Sequence, residues 1–198
     1  MKSCIDFYDD SADAWAEEWY QNETALPYLK RLVEYTHKTK PRILDMCCSA
    51  GYQCMRLKNL GAEVVGADLS KKSLKIAREK NPDIPFYEKD MLFSYADLGK
   101  FDGIICVGGI IHIENSQMEV ALKNMAEVTQ SGGYVLLVYK DGLARKDSTT
   151  VKGVEYARNS ISHTKEEIIK YGGKYFNFVE DITQADGGWK YCIFRKKY

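Results

Sequence analysis

From Pro41 onward, short apolar runs alternate with helix-length stretches, and that alternation narrows the folds open to this chain more than any other feature. "RILDMC" after Pro41, "EVVGAD" (Glu63 to Asp68), "IPFYEKD" (Ile84 to Asp90), "FDGIICVGG" (Phe101 to Gly109) and "YVLLVYK" (Tyr134 to Lys140) read as strands. Helical stretches fall around Tyr52 to Leu60, Lys71 to Lys80 and Ser116 to Thr129. Strands joined through helices become parallel neighbours, and right-handed crossovers cover both faces of their sheet. The expectation is a doubly wound, Rossmann-like α/β fold.

The flanks follow other rules. "SADAWAEEWY" (Ser11 to Tyr20) puts Ala12, Trp15, Ala16 and Trp19 at helical spacing, with Ser11 in N-cap position. A second helix is expected from about Glu23 to Thr36, with Leu26, Leu29, Leu32 and Val33 on one side, and Pro41 forbids its continuation. Asp141 to Ser162 shows little periodicity. In "HTKEEIIKYGG", Thr164 would cap a helix, Glu167 would answer it, and Gly172-Gly173 would end it. "KYFNFVEDIT" and "WKYCIFRKK" alternate like the strands of an antiparallel hairpin around the turn-rich Ala185-Asp186-Gly187-Gly188.

Charge excludes some partners. Lys plus Arg (28) equals Asp plus Glu (28), and no block of like charge marks a nucleic-acid or membrane surface, so Arg195-Lys196-Lys197 reads as a solvated end. Cys4, Cys47, Cys48, Cys54, Cys106 and Cys192 form no CxxC pair and have no His at zinc-finger spacing. No metal site is expected. The opening Met1-Lys2-Ser3-Cys4 has no apolar signal core, no uncharged run approaches membrane length, and reduced thiols in a cytoplasm are the economical reading.

"ILDMCCSAG" (Ile43 to Gly51) stands where an open α/β sheet binds its ligand, after the first strand. Cys47 and Ser49 carry side chains where a GxGxxG loop has none, which disfavours a pyrophosphate and hence NAD or FAD. An aminoacyl cofactor asks less. Backbone N–H groups or the Ser49 hydroxyl can meet a carboxylate, and Asp45 can meet an ammonium or, alternatively, only cap the loop. Asp68 lies where a carboxylate can accept from both ribose hydroxyls. Asp90, ending the third strand, can accept from an adenine amino group, with Met91 as an apolar face and N–H donor. S-adenosylmethionine is a molecule with these features.

Other residues have two readings each. His112 after the fourth strand is either a general base or a cleft histidine bonding the next helix. Gly108 and Gly109 leave the mouth open or permit an unusual backbone angle. Tyr8 could cover a sulfonium, whereas Trp15 and Trp19 more simply anchor their helix. Arg158 and His163 could meet an anionic substrate or be solvated loop residues. Cys48 reads as an inert buried thiol.

The chain resembles the class I S-adenosylmethionine-dependent methyltransferases over nearly its whole length. "ILDMCCSAG" stands where that family has LDxGxGxG, "VVGADLS" carries the ribose-binding acid and "YEKDM" the adenine-binding acid, while "FDGIICVGGIIHI" and "SGGYVLLVYK" are similar to its fourth and fifth strands. Lys140-Asp141-Gly142, Thr164-Lys165-Glu166-Glu167 and the closing hairpin resemble one subgroup of these enzymes. The resemblance implies a seven-stranded sheet of order 3-2-1-4-5-7-6. It implies one domain over 1–198, with a helical cap (1–40), a cofactor core (41–140) and a substrate-side loop, helix and hairpin (141–198). Cofactor contacts would come from Asp45, Cys47, Cys48, Ser49, Gly51, Asp68, Leu69, Asp90, Met91 and Val107, with Tyr8 and Tyr20 from the amino-terminal segment, and His112 as candidate base. The reaction would be in-line methyl transfer to a small-molecule acceptor by a monomer or homodimer, leaving S-adenosylhomocysteine. Positioning alone can supply about 7–11 kcal/mol there, so a dedicated base is optional. A non-catalytic S-adenosylmethionine binder and an NAD-dependent oxidoreductase are the alternatives.

Overall fold

The computed structural model describes residues 1–184 and 187–198. Five strands come first: β1 (Arg42–Met46), β2 (Glu63–Asp68), β3 (Phe86–Glu88), β4 (Phe101–Val107) and β5 (Thr129–Lys140). Two small antiparallel ribbons follow, β6 (Arg145–Lys146) with β9 (Ser160–Ile161) and β7 (Thr149–Val151) with β8 (Val154–Tyr156). The chain closes with β10 (Phe176–Asp181) and β11 (Trp189–Lys196). The main sheet runs β10-β11-β5-β4-β1-β2-β3; β1 to β5 pair in parallel and β11 is antiparallel to both its neighbours. That is the expected order, with the two ribbon pairs inserted before the last hairpin. Strands of two or three residues are too short to leave a period in the sequence, which is why 141–162 reads as structureless there.

Both faces of the sheet are covered. Leu44, Met46, Ala67, Ile104 and Cys106 pack with Met118, Leu122 and Met125 of α5 (Asn115–Val128) and Ile168 of α6 (Lys165–Gly172). On the other face Ile43, Val64, Ile105 and Leu136 meet Leu29 and Leu32 of α2 (Leu26–Thr36), Leu57 of α3 (Tyr52–Asn59) and Leu74 and Ala77 of α4 (Lys71–Lys80). Burial on both faces explains the unbroken apolar strands in the sequence.

Boundaries differ from expectation where side-chain chemistry overrides periodicity. The first helix, α1, spans Cys4–Gln21, because Ser3 and Asp6 form a capping box well before the expected start at Ser11. Ser11 instead sits mid-helix, its hydroxyl donating to the Phe7 carbonyl at 2.5 Å. Pro27 occupies the first turn of α2, so the helix begins at Leu26 rather than Glu23. Strand β5 begins at Thr129, before Tyr134, passing Gly132 at φ +71° and an irregular register against β4. The cap of α6 is as expected: the Thr164 hydroxyl accepts from the Glu167 amide and the Glu167 carboxylate answers it. Ala185 and Asp186 of the expected turn lie outside the described residues. Among the described residues, no helix is long and apolar enough to cross a membrane, and no His, Cys, Asp and Glu cluster is arranged to hold a metal ion.

Candidate active site

The carboxyl ends of β1, β2 and β4 meet at one edge, and α1 lies across it. Asp45, within β1, is 1% exposed, and its hydrogen-bond partner is the Cys54 thiol, which donates at 3.2 Å. Desolvation raises its pKa from 3.8 to about 7, with the Asp68 charge adding to the rise and the thiol opposing it. A carboxyl so poorly partnered is suited to a cation. The loop after it holds Cys47 at φ +71° and Ser49 at φ +49°. Both residues keep the left-handed backbone that glycine would adopt without strain, so the glycine-loop path persists with side chains on it. Gly51 is required: at φ +80°, an added Cβ would lie 2.9 Å from the Phe86 ring.

The loop amides are largely committed to shaping the loop. Cys47 and Cys48 donate to the Ala67 carbonyl at 2.8 and 2.9 Å, Ser49 donates to the Asp68 carboxylate at 2.8 Å, and Gly51 donates to the Cys48 carbonyl at 2.9 Å. The Cys48 thiol is buried, and desolvation pushes its pKa up to about 11, the state of an inert thiol. The neighbouring Cys106 thiol, together with burial, raises the pKa of the Cys47 thiol.

Asp68 ends β2 half-buried, accepting from the Ser49 and Ser70 amides at 2.8 Å each. Desolvation raises its pKa while those amides pull it down. Each oxygen keeps a further lone pair for a ligand hydroxyl. Leu69 follows it, half-buried. Asp90 lies two residues beyond β3 rather than at its end, because β3 stops at Glu88, and it accepts from the Leu92 amide at 2.9 Å. Met91 is buried, its carbonyl accepting from Asn124 at 2.9 Å. Val107 closes β4, half-buried.

Gly109 does not leave the mouth open. A Cβ there would meet the Cys47 Sγ at 2.6 Å, the Cys106 Sγ at 2.8 Å and the Met91 methyl at 2.9 Å. Gly108, at φ +69°, does need its unusual angle. Gly109→Ala is therefore expected to cost about 1–3 kcal/mol in urea unfolding. A loss near zero would show that the two thiols yield freely.

Helix α1 is fixed at both ends. The Tyr20 hydroxyl donates to the Ala50 carbonyl at 2.8 Å and accepts from Asn81, while Arg56 donates to the Trp19 and Tyr20 carbonyls at 2.8 and 3.2 Å. Arg56 thus supplies the cation that the last turn of α1 lacks. Asp9 accepts from the Ser70 hydroxyl at 2.6 Å and the Lys72 amide at 3.1 Å. Trp15 stacks on Trp19, and Trp19 on Tyr52, as helix anchors should. Arg56, Asp9 and Cys54 escape the sequence reading, because a cap or partner supplied from another element leaves no local spacing.

At the other end of α1 the Tyr8 hydroxyl lies 2.7 Å from His112 Nε2, and His112 Nδ1 lies 2.6 Å from the Asn159 carbonyl oxygen. A carbonyl only accepts, so Nδ1 carries the proton and Nε2 accepts from Tyr8. Burial lowers the His112 pKa from 6.5 to about 4 and pushes the Tyr8 pKa up to about 12, so both are neutral. Arg158 Nη2 donates to the same Tyr8 oxygen at 2.9 Å. Arg158 is half-buried rather than solvated. His163 is neither a substrate contact nor a loop residue in solvent: it is fully buried, with Nε2 donating to the Ile110 carbonyl at 3.2 Å.

Residues 43–133 match the family described as "Methyltransferase domain". A ubiquinone biosynthesis O-methyltransferase of Chelativorans sp. (strain BNC1) is 30% identical over 120 residues, covering 58% of this chain and 46% of the relative. An uncharacterized methyltransferase of Oceanobacillus iheyensis is 25% identical over 181 residues, 90% of this chain and 81% of the relative. The solved structure of a DhpI-SAH complex superposes with a TM-score of 0.78 at 14% identity, over 98% of this chain and 95% of that one. The chain spans about half the length of the ubiquinone-pathway relatives that it matches, 46% and 57% in two cases. The match over 43–133 makes this part of the chain similar to a methyltransferase domain, and the seven-stranded fold is shared with the DhpI-SAH complex.

Proposed function

We propose that the protein, acting as one domain over 1–198, binds S-adenosylmethionine and transfers its methyl group to a small-molecule acceptor. The observation that carries this reading is the buried, under-partnered Asp45 beside a loop held in glycine-like angles, with Asp68 at the end of β2 and Asp90 two residues beyond β3. These residues fit an aminoacyl nucleoside. Asp45 would face the ammonium, Asp68 and Leu69 the ribose, and Asp90 with Met91 the adenine. Cys47, Cys48, Ser49, Gly51 and Val107 would line the pocket, and Tyr8 and Tyr20 would cover it. When bound, the cofactor supplies a methyl group on a good sulfonium leaving group. The chain's part is to align the acceptor, exclude water under α1 and take a proton.

His112 is suited to the last task because its Nε2 lone pair already accepts a hydroxyl proton, that of Tyr8. An acceptor hydroxyl or amine replacing the Tyr8 hydroxyl would meet that same lone pair. The relatives named O-methyltransferases support an oxygen nucleophile.

Calorimetry should show S-adenosylhomocysteine binding and no NAD binding. Folded protein that binds NAD instead would return the chain to the oxidoreductases. Among small metabolites assayed for S-adenosylhomocysteine release, His112→Ala is expected to lose about a hundredfold or more in turnover with cofactor affinity unchanged. Full turnover across pH in that variant would retire His112 as base. Binding without release from any acceptor would favour the non-catalytic binder, for which the side chains on the loop at Cys47 and Ser49 are the supporting observation.

A further inference from the structure

We infer that Arg158 forms a carboxylate-binding subsite for the acceptor, and that the acceptor is a small molecule bearing a carboxylate close to its methylated atom. The inference rests on the methyltransferase reading and adds to it the substrate class. In a guanidinium, Nε and Nη2 share one edge, the edge that takes a carboxylate with two parallel bonds. Here Nη2 donates to the neutral Tyr8 hydroxyl at 2.9 Å, while Nε is buried with no hydrogen-bond partner. Half of a two-pronged anion site is thus filled by a neutral oxygen, and the other half is empty. Among the described residues, Arg158 takes part in none of the ion pairs.

The neighbouring carboxylates are engaged elsewhere. Asp10 accepts from Lys2 and Tyr156, Glu114 from Arg145 and Asn159, and Asp9 from Ser70 and Lys72. The guanidinium is held in place by the rings of Phe7 and Tyr8, with its carbon 4.6 and 5.3 Å from their centroids. A fixed cation with an unmet donor, in contact with the hydroxyl that bonds His112, is a recognition element at the proposed reacting end of the site.

A carboxylate there has two sources: the acceptor, or the methionine end of the cofactor. Placement favours the acceptor. The cofactor loop meets α1 at Tyr20, through Ala50, whereas Arg158 meets it at Tyr8. Those positions are separated by about 18 Å along the helix at about 1.5 Å per residue.

The test uses the full chain loaded with S-adenosylhomocysteine and, as probes, salicylate, lactate, glycerate and anthranilate, each beside its primary amide. Wild-type protein should bind at least one acid about tenfold or more tightly than its amide. Arg158→Gln should erase that ratio, and Arg158→Lys should restore only part of it, since an ammonium lacks the fork. A purely structural Arg158 would lower both affinities together and leave the ratio intact. Equal binding of acid and amide by the wild type, failure of all the acids to bind, or a ratio that survives Arg158→Gln, overturns the assignment. A tenfold fall in S-adenosylhomocysteine affinity in Arg158→Gln assigns the guanidinium to the cofactor's own carboxylate and also overturns it. If wild-type protein fails to bind S-adenosylhomocysteine at all, the methyltransferase reading fails first, and the subsite falls with it.

Discussion

Asp68→Ala is expected to reduce S-adenosylhomocysteine affinity by about a hundredfold or more. The variant removes a carboxylate that would accept from two ribose hydroxyls, and hydrogen bonds to a charged acceptor contribute about 1.5–3 kcal/mol each. The loss has a second origin. Asp68 also accepts from the Ser49 and Ser70 amides, so the alanine leaves two donors without partners at the loop and at the start of α4. Unpaired donors in partly buried positions cost about 1–3 kcal/mol, and the ligand-free variant should therefore unfold at lower urea. Asp68→Asn separates the two effects, because its one remaining oxygen can keep a loop amide while losing the charge and half of the acceptor capacity. Near-normal stability with weak binding is expected for the asparagine variant. Calorimetry showing undiminished affinity in Asp68→Ala would remove this residue from the ribose.

Much of the fold is legible in the sequence because it rests on local chemistry. The strands from β1 to β5 show as apolar runs, and α6 shows through Thr164 and Glu167, since a capping box is written within four residues. The start of α1 is hidden although its signal is equally local: Ser3 and Asp6 carry a box as good as that of α6, but the tryptophan spacing draws the boundary to Ser11. At the site, Asp45 and Asp68 are readable because strand ends position them. What cannot be read is who bonds whom across distance. Arg56 capping α1, Asn159 setting the His112 tautomer, and His163 inside the core all depend on segments remote in sequence. Arg158 is the sharpest case: as a loop residue it suggests solvent, and only the rings of Phe7 and Tyr8 reveal a fixed and half-used donor.

Asp45→Asn is expected to stabilise the ligand-free protein at pH 8 while it weakens cofactor binding. The folded-state pKa of Asp45 is about 7, against 3.8 without the fold, chiefly from desolvation. Between those values the native chain holds a proton that the unfolded chain has released, so stability falls as pH rises through that window. A shift of this size corresponds to roughly 4 kcal/mol at about 1.4 kcal/mol per pKa unit. His112 acts with the opposite sign: its folded pKa of about 4 lies below 6.5, so its contribution is lost as pH falls from 6.5 toward 4. The two therefore oppose each other in acid, and Asp45 alone of this pair acts as pH rises from 6.5 to 7. An asparagine removes the first slope and leaves the second, so in urea unfolding the stability of the variant relative to wild type should rise as pH climbs from about 4 to about 7 and then hold. Binding supplies the complementary signature. An ammonium beside Asp45 favours the ionised carboxylate, so wild-type affinity for S-adenosylhomocysteine should climb up to about tenfold per pH unit below about 7 and level off above it. The variant should bind weakly with no such climb. An Asp45→Asn variant that is less stable than wild type at pH 8, or that keeps the wild-type pH dependence of binding, would show that the Asp45 carboxyl caps its own loop and does not hold the cofactor's ammonium.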